Sequence, residues 1–199
     1  MKFTLLLNAF LFSLSCFAQE EQIAPINTIE QAKILIQVHP ELDGQIWTTI
    51  PETHSTDTSN VFTSKKKGAV FSDENRVYKV LSTQKKNVHR VSYIFLDGSK
   101  LSMEAINALR KTILEKYKAG TPFTELANEY TMDHNKTGDL NWFKDGTMVP
   151  LFEKAVKKHK VNDIFTVDIP ENKWYYVTLK TFQDKELEEL TLLSVKKKK

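Results

Sequence analysis

Apolar residues recur three and four positions apart along several stretches, and each such stripe predicts a helix. Ile29, Ala32, Leu35 and Ile36 share one face of a short helix that Thr28 can cap and that Pro40, Asp43 and Gly44 end. Ile106, Leu109, Ile113, Leu114 and Tyr117 keep the same spacing between Ser102, a capping residue, and Gly120, a terminator. Phe123, Leu126, Ala127 and Tyr130 make a third stripe, with Thr121 as the expected cap and Pro122 in the first turn, where its missing N–H would have no partner anyway. Pro150 opens a fourth helix with Phe152, Ala155 and Val156 facing inward.

Other stretches read as strands. Residues 68–71 and 77–81 predict a hairpin turning at Ser72-Asp73-Glu74-Asn75, with Tyr78 and Val80 alternating with polar neighbours. Residues 89–96 form a strand that ends at Asp97-Gly98-Ser99. Residues 164–169 and 174–182 form two more, joined at Pro170-Glu171-Asn172-Lys173. Residues 47–63, rich in Thr, Ser, Asp and Pro, predict a loop. From 185 to 195 apolar and acidic residues mix, and the alternation at Leu190, Leu192 and Leu193 is too weak to choose between an edge strand and a terminal helix.

The first residues depart from this pattern. Lys2 precedes an apolar run over residues 3–14, closed by the small residues of Ser15-Cys16-Phe17-Ala18, the build of a secretory signal too short to span a bilayer comfortably. Cleavage is expected after Ala18. The alternative is a lipid-anchored form held through Cys16, although Ser13 stands where such signals usually carry Leu. Cleavage after Ala18 would leave no cysteine, and hence no disulfide.

With 199 residues, 41% hydrophobic and 27% charged, the chain suits one or two ordinary globular domains. The net charge of +3, reduced by one to +2 without Lys2, is too small to argue for nucleic acid. The Lys clusters at 65–67 and 196–199 read as a solvated turn and a basic tail. The five histidines lack ligand spacing, so no metal and no other cofactor is expected.

Four motifs in fixed order carry the functional reading: Gly120-x-Pro-Phe-x-x-Leu-Ala; Tyr130-Thr131-Met132-Asp133; Gly138-Asp139-Leu140 with Trp142-Phe143; and Gly146-x-Met-Val-Pro-x-Phe-Glu-x-Ala155. This order resembles the parvulin family of peptidyl-prolyl cis-trans isomerases. The resemblance implies an α+β domain, an antiparallel sheet covered by helices, here preceded by a small helix-plus-hairpin extension. The expected organisation is a signal peptide over 1–18, an N-terminal extension over 19–87, the parvulin-like domain over 88–183 and a C-terminal tail over 184–199. The extension carries no recognisable motif and is read as a prop or lid, or as a grip on client proteins.

The implied activity is isomerisation of X-Pro bonds in exported polypeptides, and the implied partners are proline-containing clients, with a membrane involved only through a lipid on Cys16. The resemblance places the proline slot at Leu140, Met148 and Phe152, all three of which could equally be core. It places the polar group near the rotating carbonyl at Asp133. Where many parvulins carry two histidines beneath the slot, this chain aligns Tyr93 and Tyr175, or Tyr176 if the register slips by one. A tyrosine hydroxyl donates and accepts as a neutral imidazole does, but with an ordinary pKa of about 10 it does not titrate near neutrality. Thr137 and Asn141 also replace family glycines. No basic cluster resembles the one used by phosphate-directed members. These departures motivate the alternative of a parvulin-like chaperone or binding module without turnover.

Overall fold

The computed structural model describes residues 19–53 and 61–198. The expected signal segment with Cys16, and the middle of the 47–63 region, lie outside the described residues. The chain divides into two compact units, one built from the segments before Lys86 and after Glu186, the other from the residues between.

In the first unit, helix α1 (Ile29–Val38) opens with Thr28, whose side chain accepts from the Gln31 backbone while the Gln31 side chain accepts from Thr28. This reciprocal pair satisfies donors that a helix start otherwise leaves bare. The sheet runs β1 (Gln45–Thr49), β8 (Lys185–Lys196), β3 (Arg76–His89), β2 (Val70–Ser72). The C-terminal residues are therefore an interior strand rather than a tail. Leu193 and Val195 pack on one face with Ala32, Val77 and Leu81, and Leu190 and Leu192 on the other with Val80 and the partly buried Trp47 and Phe71. Burial on both faces removes the polar alternation that would have marked the strand.

The loop reading of residues 47–63 is corrected over its first part. Trp47 and Thr49 belong to β1 and pair with Leu192 and Leu190. Strand partners override the local preference of a Thr-rich stretch.

The second unit carries the sheet β4 (Val91–Asp97), β7 (Trp174–Lys180), β6 (Ile164–Ile169), antiparallel throughout. One face, Ile94, Leu96, Tyr175 and Val177, is covered by helices α2 (Met103–Lys118) and α3 (Phe123–Tyr130) through Ile106, Ile113, Phe123 and Leu126. The other face, Val91, Phe165, Val167 and Ile169, is covered by helix α4 (Pro150–Lys158) through Phe152 and Val156, with Phe143 of the short strand β5 (Phe143–Lys144). Ser102 caps α2 by accepting from the Ala105 amide. Thr121 does not cap α3. Its amide donates to the Lys116 carbonyl, closing α2, and Pro122 takes the cap position without a side-chain bond.

Candidate active site

The site lies on the α4 face of the second sheet. Strand alternation puts Tyr93 and Phe95 of β4, with Trp174 and Tyr176 of β7, on that face. Their register, Phe95 opposite Tyr176 and Asp97 opposite Trp174, sets them side by side. The Tyr93 and Tyr176 rings meet edge to face at 5.9 Å.

The segment between α3 and β5 closes over this face. The Tyr93 amide donates to the Gly138 carbonyl at 2.8 Å and the Leu140 amide to the Val91 carbonyl at 3.0 Å. Gly138 has a φ of 72° and no room for a side chain: a Cβ there would stand 2.7 Å from Ala127 Cβ and 2.9 Å from the Tyr93 carbonyl oxygen. Asn141 also adopts a positive φ, 59°, which asparagine tolerates better than most residues. The bend is held by Asp139, whose carboxylate accepts from the Asn141 amide and from Nε and Nη2 of Arg90.

Asp133 is fixed by this arrangement. One oxygen accepts from the Tyr93 hydroxyl at 2.8 Å, the other from Thr131 Oγ1 and the Asn135 amide at 3.0 Å each. Burial pushes the Tyr93 hydroxyl pKa up, and its bond to Asp133 adds to the rise. Burial first, and then the neighbouring acidic groups Tyr93 and Asp133, push Tyr176 up to about 12. Both hydroxyls therefore stay protonated at any ordinary pH. The Tyr176 hydroxyl, unlike that of Tyr93, has no hydrogen-bond partner among the described residues.

Beside this polar edge opens a pocket of about 280 Å³, lined by Tyr93, Asp133 and Tyr176 with Leu140, Thr147, Met148, Val149, Phe152 and Trp174. Pockets for small ligands begin at about 300 Å³, so the space suits a proline ring and the atoms next to it. Phe152 is 4% exposed and meets Tyr176 edge to face at 5.3 Å. It serves the core and the pocket at once, so the two readings of Phe152 were not exclusive.

The lip formed by Thr147, Met148 and Val149 is anchored from α4. Glu153, 7% exposed, accepts from the Gly146 amide at 3.1 Å and the Met148 amide at 2.8 Å. Asp145, just before the lip, is gripped by Lys157 at 2.5 Å and His89 at 2.9 Å. Those two contacts, Lys157 first, lower its pKa from 3.8 to about 2. A folded-state pKa below the unfolded one means that the ionised form favours folding. The contribution is complete above the ordinary 3.8 and disappears as pH falls towards 2. Asp145→Asn is accordingly expected to be less stable than wild type at pH 6, with the gap closing by about pH 2, as denaturant titration at the two pH values would read.

The structure gathers Tyr93, Asp133, Leu140, Met148, Phe152 and Tyr176 around one pocket. Tyr175 is not among them. It faces the α2 side of the sheet, 8% exposed in the core, with the Arg110 guanidinium over its ring at 5.5 Å. Sequence reasoning missed Thr147, Val149 and Trp174 in the lining and Glu153 behind it. The signal for Trp174 was available, since it stands two residues before Tyr176 and so shares its face. Among the described residues no three of His, Cys, Asp and Glu converge as metal ligands would.

Comparison with known proteins agrees with this geometry. The model of the PPIC-type PPIase domain matches residues 75–178. The foldase protein PrsA of Halalkalibacterium halodurans is 30% identical over 105 residues, which cover 51% of this chain and 31% of that protein. The chaperone SurA of Methylobacillus flagellatus is 42% identical over 55 residues, 27% of this chain and 13% of that one. The chain thus spans about a third or less of the length of these curated relatives. Among solved structures, PrsA from Bacillus anthracis aligns at 31% identity and a TM-score of 0.41, covering 51% of this chain and 44% of that one. Because the matched residues make up more than half of the chain and contain every group that lines the pocket, this protein belongs to the PPIC-type peptidyl-prolyl isomerase family, the parvulins.

Proposed function

We propose that the chain is a peptidyl-prolyl cis-trans isomerase that assists the folding of exported polypeptides, working without any covalent step. The observation that carries this reading is the pocket itself, an apolar slot of Leu140, Met148 and Phe152 whose open edge holds one fixed carboxylate and one unengaged hydroxyl. The apolar run at residues 3–14 supports export, as do relatives named as foldases and chaperones.

Rotation about an X-Pro bond must cross a barrier of about 18–20 kcal/mol because twisting breaks amide conjugation. A twisted amide differs from a planar one in a way the site can sense. Its nitrogen lone pair no longer delocalises into the carbonyl and becomes a hydrogen-bond acceptor. A donor aimed at that nitrogen therefore stabilises the transition state and neither ground state, which is the condition for catalysis. The Tyr176 hydroxyl takes this role, with the proline ring seated against Phe152 and Met148. Asp133 and Tyr93 form the polar wall past which the carbonyl swings.

Tyr176→Phe tests the assignment with little effect on the fold, because the hydroxyl leaves no protein partner behind. About 1.4 kcal/mol of lost preference for the twisted amide corresponds to a tenfold fall in kcat/KM. The expected result is a fall of about that size in a proline-limited refolding assay with an unchanged melting temperature. An unchanged rate would remove Tyr176 from the mechanism. Replacement of both family histidines favours a second reading, a client-binding module without turnover. On that reading refolding proceeds at its uncatalysed rate even with the wild-type chain.

A further inference from the structure

Trp174 is the part of the pocket that the mechanism leaves unused. It is 37% exposed, and of the large apolar side chains exposed in the second unit, which include Met103, Leu151 and Phe182, it alone lines the slot. The other aromatic rings of the lining pack on one another, Tyr93 on Tyr176 and Phe152 on Tyr176. Trp174 makes no ring contact among the described residues, and its indole N–H has no partner there. A large aromatic ring left open at the mouth of a site is free to take a ligand's side chain.

Its position identifies which side chain. Along β7, Tyr176 lies opposite Phe95 and Trp174 opposite Asp97, so Trp174 stands one same-face step, about 6.8 Å, beyond Tyr176. With the proline ring against Phe152, the swinging carbonyl lies by Tyr176 and Tyr93. That carbonyl belongs to the residue before the proline, whose side chain then reaches the next position on the face. The only charged group in the lining is the carboxylate of Asp133; Asp97, opposite Trp174, is already paired with Lys100 at 3.5 Å and accepts from Ser99. No lysine or arginine lines the slot among the described residues, so an acidic side chain beside Asp133 meets repulsion that no cation of the lining offsets.

We propose that Trp174 is the specificity-determining wall for the residue preceding proline, selecting aromatic and bulky apolar side chains and rejecting acidic ones. This rests on the isomerase reading of the slot, and the test separates the two. Peptides differing only at X in X-Pro, with X as Phe, Leu, Ala or Glu, are titrated against the full chain, and both affinity and cis-trans exchange are measured. A stacked ring contributes a preference of about 2- to 10-fold beyond simple burial. The wild type is expected to favour Phe-Pro over Ala-Pro by about that factor and to place Glu-Pro below Ala-Pro. Trp174→Ala should bring the Phe-to-Ala ratio close to one, and Trp174→Phe should recover most of it.

Exchange catalysed equally on Phe-Pro and Ala-Pro would overturn the role of Trp174 and leave the isomerase reading intact. Selective binding that depends on Trp174, without catalysed exchange, would uphold the wall and overturn the isomerase. A Phe preference that survives in Trp174→Ala, or the absence of both binding and exchange, would overturn the proposal.

Discussion

Phe152→Ala is expected to abolish most catalysis of proline-limited refolding and to lower stability by about 3–5 kcal/mol, the usual loss for emptying a buried phenylalanine site. Both effects follow from one ring. It is 4% exposed, packs in the core with Val91, Phe165 and Val167, and at the same time lines the slot beside Tyr176. Since total stability is typically only about 5–15 kcal/mol, the alanine variant alone could lose activity by unfolding. Phe152→Leu separates the causes. It keeps most of the volume, at roughly 1.5 kcal/mol or less, yet removes the flat wall that the proposed slot offers an imino ring. Catalysis that falls in both variants while the leucine variant unfolds at a near-native denaturant midpoint places Phe152 in the slot. Full activity in the leucine variant would show that its contribution is packing alone.

Gly138→Ala carries the second large effect, although no substrate atom need touch Gly138. The left-handed backbone by itself costs a non-glycine residue about 1–2 kcal/mol. The added methyl also meets Ala127 Cβ at 2.7 Å and the Tyr93 carbonyl at 2.9 Å, neither of which is the end of a flexible side chain. The segment must lift from β4, drawing Asp133 from the Tyr93 hydroxyl and Leu140 from the Val91 carbonyl. Expected results are a stability loss above about 2 kcal/mol and a fall in kcat/KM larger than that of Tyr176→Phe. A variant with native stability and native rate would show that the loop tolerates displacement.

Much of this was legible before the fold. The helices announced themselves through apolar spacing and their ends: Thr28 and Ser102 cap as read, Gly120 terminates α2, and Pro150 opens α4. What failed did so for physical reasons. Residues 185–196 lack alternation because both faces of β8 are buried, and β1 hid in a Thr-rich stretch that only its partner strand makes extended. Adjacent tyrosines at 175 and 176 satisfy the same motif, but a strand sends neighbours to opposite faces, and only the pairing of Phe95 with Tyr176 says which one meets the slot. Glu153 reads as a surface residue in a Lys-rich helix, and its two backbone partners lie in a loop whose path no periodicity encodes.

Tyr93 and Tyr176, at positions that the family resemblance aligns with a histidine pair, alter the chemistry of such a site less than their identity suggests. Each supplies a neutral donor, and burial keeps each protonated, so the polar edge of the slot retains hydroxyls beside a carboxylate without a group that ionises near neutrality. On the proposed reading, client selection and catalysis come from two same-face residues of one strand, Trp174 for the side chain and Tyr176 for the amide.

The most direct measurement is NMR exchange between the cis and trans forms of an Ala-Phe-Pro-Ala peptide with substoichiometric amounts of the wild-type chain. Cross-peaks that build up far faster than the uncatalysed tens to hundreds of seconds, and that vanish when a tighter proline peptide fills the slot, are the predicted result. Exchange at the uncatalysed rate, with peptide resonances shifted by binding, would contradict it.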